Sequence, residues 1–145
     1  MTIAIDFDGT IVEHRYPAIG NERTFAIHTL KMLQKQGHQL ILWTYRNGKE
    51  LDEAVEYCRG KGLEFYAVNK NYPEEIFDGS ISRKIIADVY IDDRNVGGFP
   101  GWGEIWHMLN PDASDAEKMA YAKLYDQSRK KGLCGFFLRL FCRDV

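Results

Sequence analysis

Cysteine is scarce in this chain. There are three, Cys58, Cys134 and Cys142, an odd number at spacings that match neither a disulfide framework nor a zinc site. A reducing, cytoplasmic setting is therefore expected. No apolar run is long enough to span a bilayer. The start, Met1-Thr2-Ile3, leads straight into a strand-like run, so no signal peptide is expected. A strong charge of either sign is also missing. The formal net charge is −2, which gives no global pull toward nucleic acid or membrane surfaces. Internal repeats and low-complexity tracts are absent too.

What remains is ordinary soluble-protein material: 145 residues, 45% hydrophobic and 28% charged. That length suits a single domain with a proper core. The residue order is more informative. Ile3-Ala4-Ile5 is a short β-branched and small apolar run, and it ends in Asp6-Phe7-Asp8-Gly9-Thr10. Such a run reads as a buried parallel strand, and the glycine marks the break from it. Alternation along a strand puts Asp6 and Asp8 on one face with Phe7 between them. Two carboxylates that close repel each other and suit a hard cation such as Mg²⁺.

Further along, a helix is expected over about 24–36, stopped by Gly37, and a second strand over 39–43. That strand ends in Thr44-Tyr45-Arg46-Asn47-Gly48. Leu51, Ala54, Val55 and Cys58 recur at helical spacing, which makes Cys58 a core residue. A third strand is expected over 64–68. A fourth, over 85–91, follows Lys84 and delivers a second acidic pair, Asp92 and Asp93. Strands alternating with helices predict an α/β fold, a doubly wound parallel sheet with helices on both faces. Phe99, Trp102 and Trp106 read as core or interface. Ser114-Asp115-Ala116-Glu117 is a capping box opening a helix to about Lys131. Leu133, Phe136, Phe137, Leu140 and Phe141 then share one face of an amphipathic helix. Residues 111–145 thus form a helical extension, packing on the core, on a neighbouring subunit or, last, on a membrane surface.

In such sheets ligands bind beyond the carboxyl ends of the strands. Asp6, Asp8, Thr44, Lys84, Asp92 and Asp93 would converge there. A phosphate monoester asks for this combination: a cation, an ammonium and hydrogen-bond donors for its oxygens, with a carboxylate in line with phosphorus.

Asp6-Phe7-Asp8-Gly9-Thr10 resembles the first motif of the haloacid dehalogenase-like (HAD) phosphohydrolases. Thr44, Lys84 and Asp92-Asp93 resemble the second, third and fourth, in the right order. The resemblance implies a Rossmann-like core and a Mg²⁺-dependent phosphatase working through an aspartyl-phosphate. Asp6 would be the nucleophile and Asp8 the general acid and base. Asp6, Asp8 (through its carbonyl), Asp92 and Asp93 would hold the metal. Thr44, Lys84, Gly9 and Tyr45 would hold the phosphoryl group. The gaps between motifs are too short for a cap domain, so the likeness is to small capless bacterial members and to the phosphatase half of polynucleotide kinases. An open site suits a phosphorylated macromolecule, or a small substrate covered by a second copy in a homo-oligomer. Arg15, Arg46, Lys49, Lys70 and Arg94 lie on segments near the site and could track a polyanion. The competing readings are a non-catalytic phospho-ligand or protein-binding module and a phosphotransferase that uses the same aspartyl-phosphate.

Overall fold

The computed structural model describes the backbone of residues 1–141 and the side chains of residues 1–128. The chain forms two compact units, Met1–Phe99 and a second beginning at Pro100. The first holds a four-stranded sheet of order β3-β2-β1-β4. Its strands are β1 (Thr2–Ile5), β2 (Gln39–Leu42), β3 (Ala67–Val68) and β4 (Val89–Ile91). All three pairings are parallel. The helices α1 (Ala26–Lys35) and α2 (Gly48–Gly60) serve as the crossovers to β2 and β3. This is the α/β architecture expected, with no cap domain among the described residues.

Burial explains the elements. Ile3, Ala4, Ile5, Leu40, Ile41 and Leu42 are all buried, so β1 and β2 are apolar on both faces, as central parallel strands must be. Helix α1 buries Ala26, Ile27, Leu30 and Leu33, three and four residues apart, the spacing of a single helical face. Thr29 is buried on that helix and donates its hydroxyl to the Phe25 carbonyl at 2.8 Å. Helix α2 buries Ala54 and Cys58. Burial pushes the Cys58 thiol up to about 12, which fits a core residue rather than a nucleophile.

Two strands are shorter than expected, and hydrogen bonds give the reason. Before β4, the Ile86 N–H donates to the Asn71 side chain at 2.7 Å, and the Ile86 side chain is exposed. Residues 85–87 are thus tied to the neighbouring loop instead of to β1. Asp88 closes the junction, because its carboxylate accepts from the Thr2 N–H at 2.7 Å. Ahead of β3 the Tyr66 N–H still donates to the Leu40 carbonyl at 2.8 Å, but the paired register with β2 covers Ala67 and Val68 alone.

The second unit holds α3 (Trp102–Leu109) and α4 (Asp115–Phe141). Trp102, Ile105 and Trp106 are buried. The Trp106 ring stacks on Tyr121, with centroids 4.2 Å apart, and the Tyr121 hydroxyl donates to the Trp102 carbonyl. The aromatic cluster is therefore core material here. The capping box forms as expected. Ser114 N–H and hydroxyl both donate to Glu117, at 2.8 and 2.7 Å, and Glu117 N–H donates back to Ser114. The amphipathic reading of Leu133 to Phe141, together with Cys134 and Cys142, falls outside the residues whose side chains are described.

Candidate active site at the carboxyl ends of the strands

The sheet order creates a switch point. From β1 the chain moves outward one way through β2 and β3, then returns to place β4 on the other side of β1. A crevice opens between the carboxyl ends of strands that diverge in this way. Asp6 follows β1, and Asp92 and Asp93 follow β4, so all three carboxylates meet at that crevice. One oxygen from each lies within 4.8 Å of the others. The Asp6 N–H donates to the Ile91 carbonyl at 2.9 Å, continuing the β1–β4 ladder and setting the two acidic ends side by side.

Thr10 braces this contact. Its buried hydroxyl donates to Asp6 Oδ2 at 3.3 Å and accepts from the Asp93 N–H at 3.0 Å. Gly9 makes the approach possible. It has φ +93°, and a Cβ there would sit 2.0 Å from Asp93 Oδ2. No other residue fits this conformation and this space.

Three carboxylates this close are electrostatically uncomfortable. The Asp6 carboxyl is pushed up to about 7. Burial is the largest cause, followed among the raising influences by the charges of Asp92 and Asp93. The Phe7 N–H and the Thr10 hydroxyl act the other way. An all-oxygen donor set of this kind fits a hard divalent cation.

Asp8 is placed differently. Its two carboxylate oxygens accept from Arg46, Oδ2 from Nε at 2.6 Å and Oδ1 from Nη2 at 2.8 Å. The Arg46 side chain has no exposure at all. It also donates to the carbonyls of Pro17 and Ala18, each at 2.9 Å, and lies over the rings of Phe7 and Tyr16. Its hydrogen bonds to Asp8 hold the guanidinium above its ordinary value. Arg46 lines the same cavity as Asp6, but its guanidinium is taken up as an internal clamp on Asp8 and the two carbonyls. Asp8 lines the same cavity but is not one of the three carboxylates that gather within 4.8 Å.

The surrounding cavity has a volume of about 1000 Å³. Thr44 lines it, and its N–H donates to Asn69 Oδ1 at 2.8 Å. Tyr45 also lines it. Lys84 does not. It is exposed, with its ammonium 5.7 Å from the centre of the Tyr90 ring, and the adjacent Arg83 faces the cavity instead. Lys70 and Arg94 join Arg83 there, whereas Arg15 and Lys49 do not. Instead, Arg15 pairs with Glu13 and Lys49 with Glu53.

Sequence reasoning missed Asn69 and the bracing role of Thr10. Asn69 has φ +53°, a left-handed backbone that Asn tolerates better than most residues. An asparagine directly after an apolar strand is the signal that could have marked it.

No family model matches the chain, and no curated protein matches it. Among solved structures it is similar to that of a conserved protein coded by a locus from Bacteroides thetaiotaomicron. The identity is 61%, the match covers 80% of this chain and 94% of that one, and the TM-score is 0.73. No helix among the described residues is long and apolar enough to cross a membrane.

Proposed function

We propose that this chain, which belongs to the same family as the Bacteroides thetaiotaomicron protein, is a Mg²⁺-dependent phosphatase of the HAD type acting on a phosphate monoester. One observation carries the reading: the carboxylates of Asp6, Asp92 and Asp93 gather within 4.8 Å at the switch point of a parallel sheet, with Thr44 lining the same cavity. Its support from sequence is the resemblance of residues 6–10, Thr44, Lys84 and 92–93 to the four HAD motifs in order.

In this reading Asp6, Asp92 and Asp93 hold the cation, together with the Asp8 carbonyl. A bound divalent cation supplies charge compensation for the phosphate dianion and favours the ionised form of Asp6. An Asp6 oxygen attacks phosphorus, the bond from phosphorus to the ester oxygen breaks, and an aspartyl-phosphate forms. The leaving oxygen takes a proton from Asp8. A water then gives its proton to Asp8 and attacks phosphorus, which releases Asp6 and inorganic phosphate. Asp8 can carry that proton only after loosening the fork to Arg46, since both of its oxygens accept from the guanidinium. Thr44 holds a phosphoryl oxygen. The cationic contact falls to Lys70, Arg83 or Arg94, which line the cavity where Lys84 does not.

The test is phosphate release from p-nitrophenyl phosphate and a panel of phosphorylated compounds. The panel runs with Mg²⁺, with EDTA, and with the Asp6→Asn variant. Turnover that needs Mg²⁺ and vanishes in the variant is expected. Turnover that persists in Asp6→Asn removes the nucleophile, and turnover that persists in EDTA removes the metal.

A further inference from the structure

We infer that the substrate carries a planar ring next to its phosphate and that the Tyr16–Tyr45 pair seats that ring. The inference rests on the phosphatase reading and adds a substrate class to it.

The cavity is far larger than a phosphoryl group requires. A volume of about 1000 Å³ is at the top of the range for sites that enclose whole organic ligands. Its lining holds Asp6, Asp92 and Asp93 and also the aromatic side chains Tyr16, Trp43, Tyr45 and Phe77. Tyr45 is the conspicuous one. It is 88% exposed, yet it lies in the cavity lining. Tyrosine usually buries much of its ring, so an exposed one on a fixed turn is poised to receive something. This turn is fixed on both sides of Tyr45. The Thr44 N–H is bound by Asn69, and the Arg46 side chain is fully enclosed.

Tyr16 supplies a second ring. It is 44% exposed, and its centroid lies 6.4 Å from that of Tyr45 at 72°, an edge-to-face arrangement. The Arg46 guanidinium lies 5.3 Å from the Tyr16 ring centre, so Tyr16 is anchored as well. Two anchored rings with open surface, set beside a phosphate site, favour a flat partner. Stacking of a base on an aromatic side chain is sequence-tolerant and largely independent of hydrogen bonding. The rings come from the segment between Thr10 and α1 and from the turn after β2, and in this proposal they hold the group attached to the phosphate while the carboxylate cluster serves the phosphate end.

The experiment compares a 5′-nucleoside monophosphate with ribose 5-phosphate, which share a leaving oxygen and differ only in the base. The expected kcat/KM ratio in wild type favours the nucleotide by roughly five- to thirtyfold. Tyr45→Ala brings the ratio close to one, and Tyr45→Phe keeps it. The Tyr45 side chain is exposed, so neither variant threatens folding. A wild-type ratio near one, or a Tyr45→Ala variant that lowers both substrates equally, overturns the inference and leaves the phosphatase standing. If neither compound is turned over, calorimetric binding to the Asp6→Asn variant with Mg²⁺ decides. Preferential binding of the nucleotide that is lost with Tyr45→Ala upholds the ring seat, and equal or absent binding overturns it.

Discussion

Replacing Asp6 with asparagine should make the metal-free protein more stable, and by an amount that depends on pH. Folding carries Asp6 from water into a partly buried site shared with two other carboxylates, and its carboxyl rises from 3.8 to about 7. A carboxyl raised on folding binds more protons in the folded state than in the unfolded state between those two values. Stability is then greatest below the unfolded value and is lost as pH climbs through the folded one. The full displacement, at about 1.4 kcal/mol per unit, sets a ceiling of about 4 kcal/mol. Residual contact with water reduces this to about 2 kcal/mol. Asparagine has the same shape, can still accept from the Thr10 hydroxyl and does not titrate. In EDTA, Asp6→Asn should therefore melt roughly 5–10 °C above wild type at about pH 8 and nearly with it at about pH 4. Circular-dichroism melts across that range decide the matter. A gap that does not change with pH, or a variant less stable than wild type at the alkaline end, refutes the reasoning.

Mg²⁺ should bind with an affinity that falls about tenfold per pH unit below about 7, because the cation and a proton compete for Asp6. Calorimetry at two pH values checks this, and a flat profile counts against the assignment of Asp6 as a ligand. Arg46→Ala should cost about 3–5 kcal/mol in urea unfolding, since it strands Asp8 and two backbone carbonyls together. Arg46→Lys should recover only part of that, because an ammonium lacks the fork geometry. A loss under about 1 kcal/mol in Arg46→Ala would show that the clamp is not structural. Gly9→Ala should destabilise by about 1–3 kcal/mol through its backbone conformation alone, and should weaken cation binding by displacing Asp93. Unchanged melting and unchanged Mg²⁺ affinity would contradict the close approach of Gly9 to Asp93.

Much of the fold could be read from residue order, because its signals are local. Apolar runs of three or four residues alternate with helical periodicities, and parallel strands need helical crossovers of this kind. The acidic ends were legible for the same reason, since Asp6, Asp92 and Asp93 each follow the apolar run that places them. Contacts between distant positions were not legible. The Asp8–Arg46 pair joins residues 38 apart, and nothing local distinguishes a clamping arginine from a solvated one. The irregular segment between β3 and β4 hid the orientation of Lys84, because side-chain hydrogen bonds such as Asn71 to Ile86, rather than periodicity, determine its path.

Strand β3 has only two residues, yet its end behaves as a splint. Asn69, just beyond it, takes the Thr44 N–H with its side-chain oxygen and gives its amide N–H to the Arg46 carbonyl at 3.3 Å. Its own backbone N–H donates to Leu42. Arg46 in turn fixes Asp8. A residue at the end of an edge strand thus governs the posture of a carboxylate two strands away without touching it. The rigidity of the centre is borrowed from the rim, so an Asn69 substitution would register as disorder at Asp8 before any loss of fold.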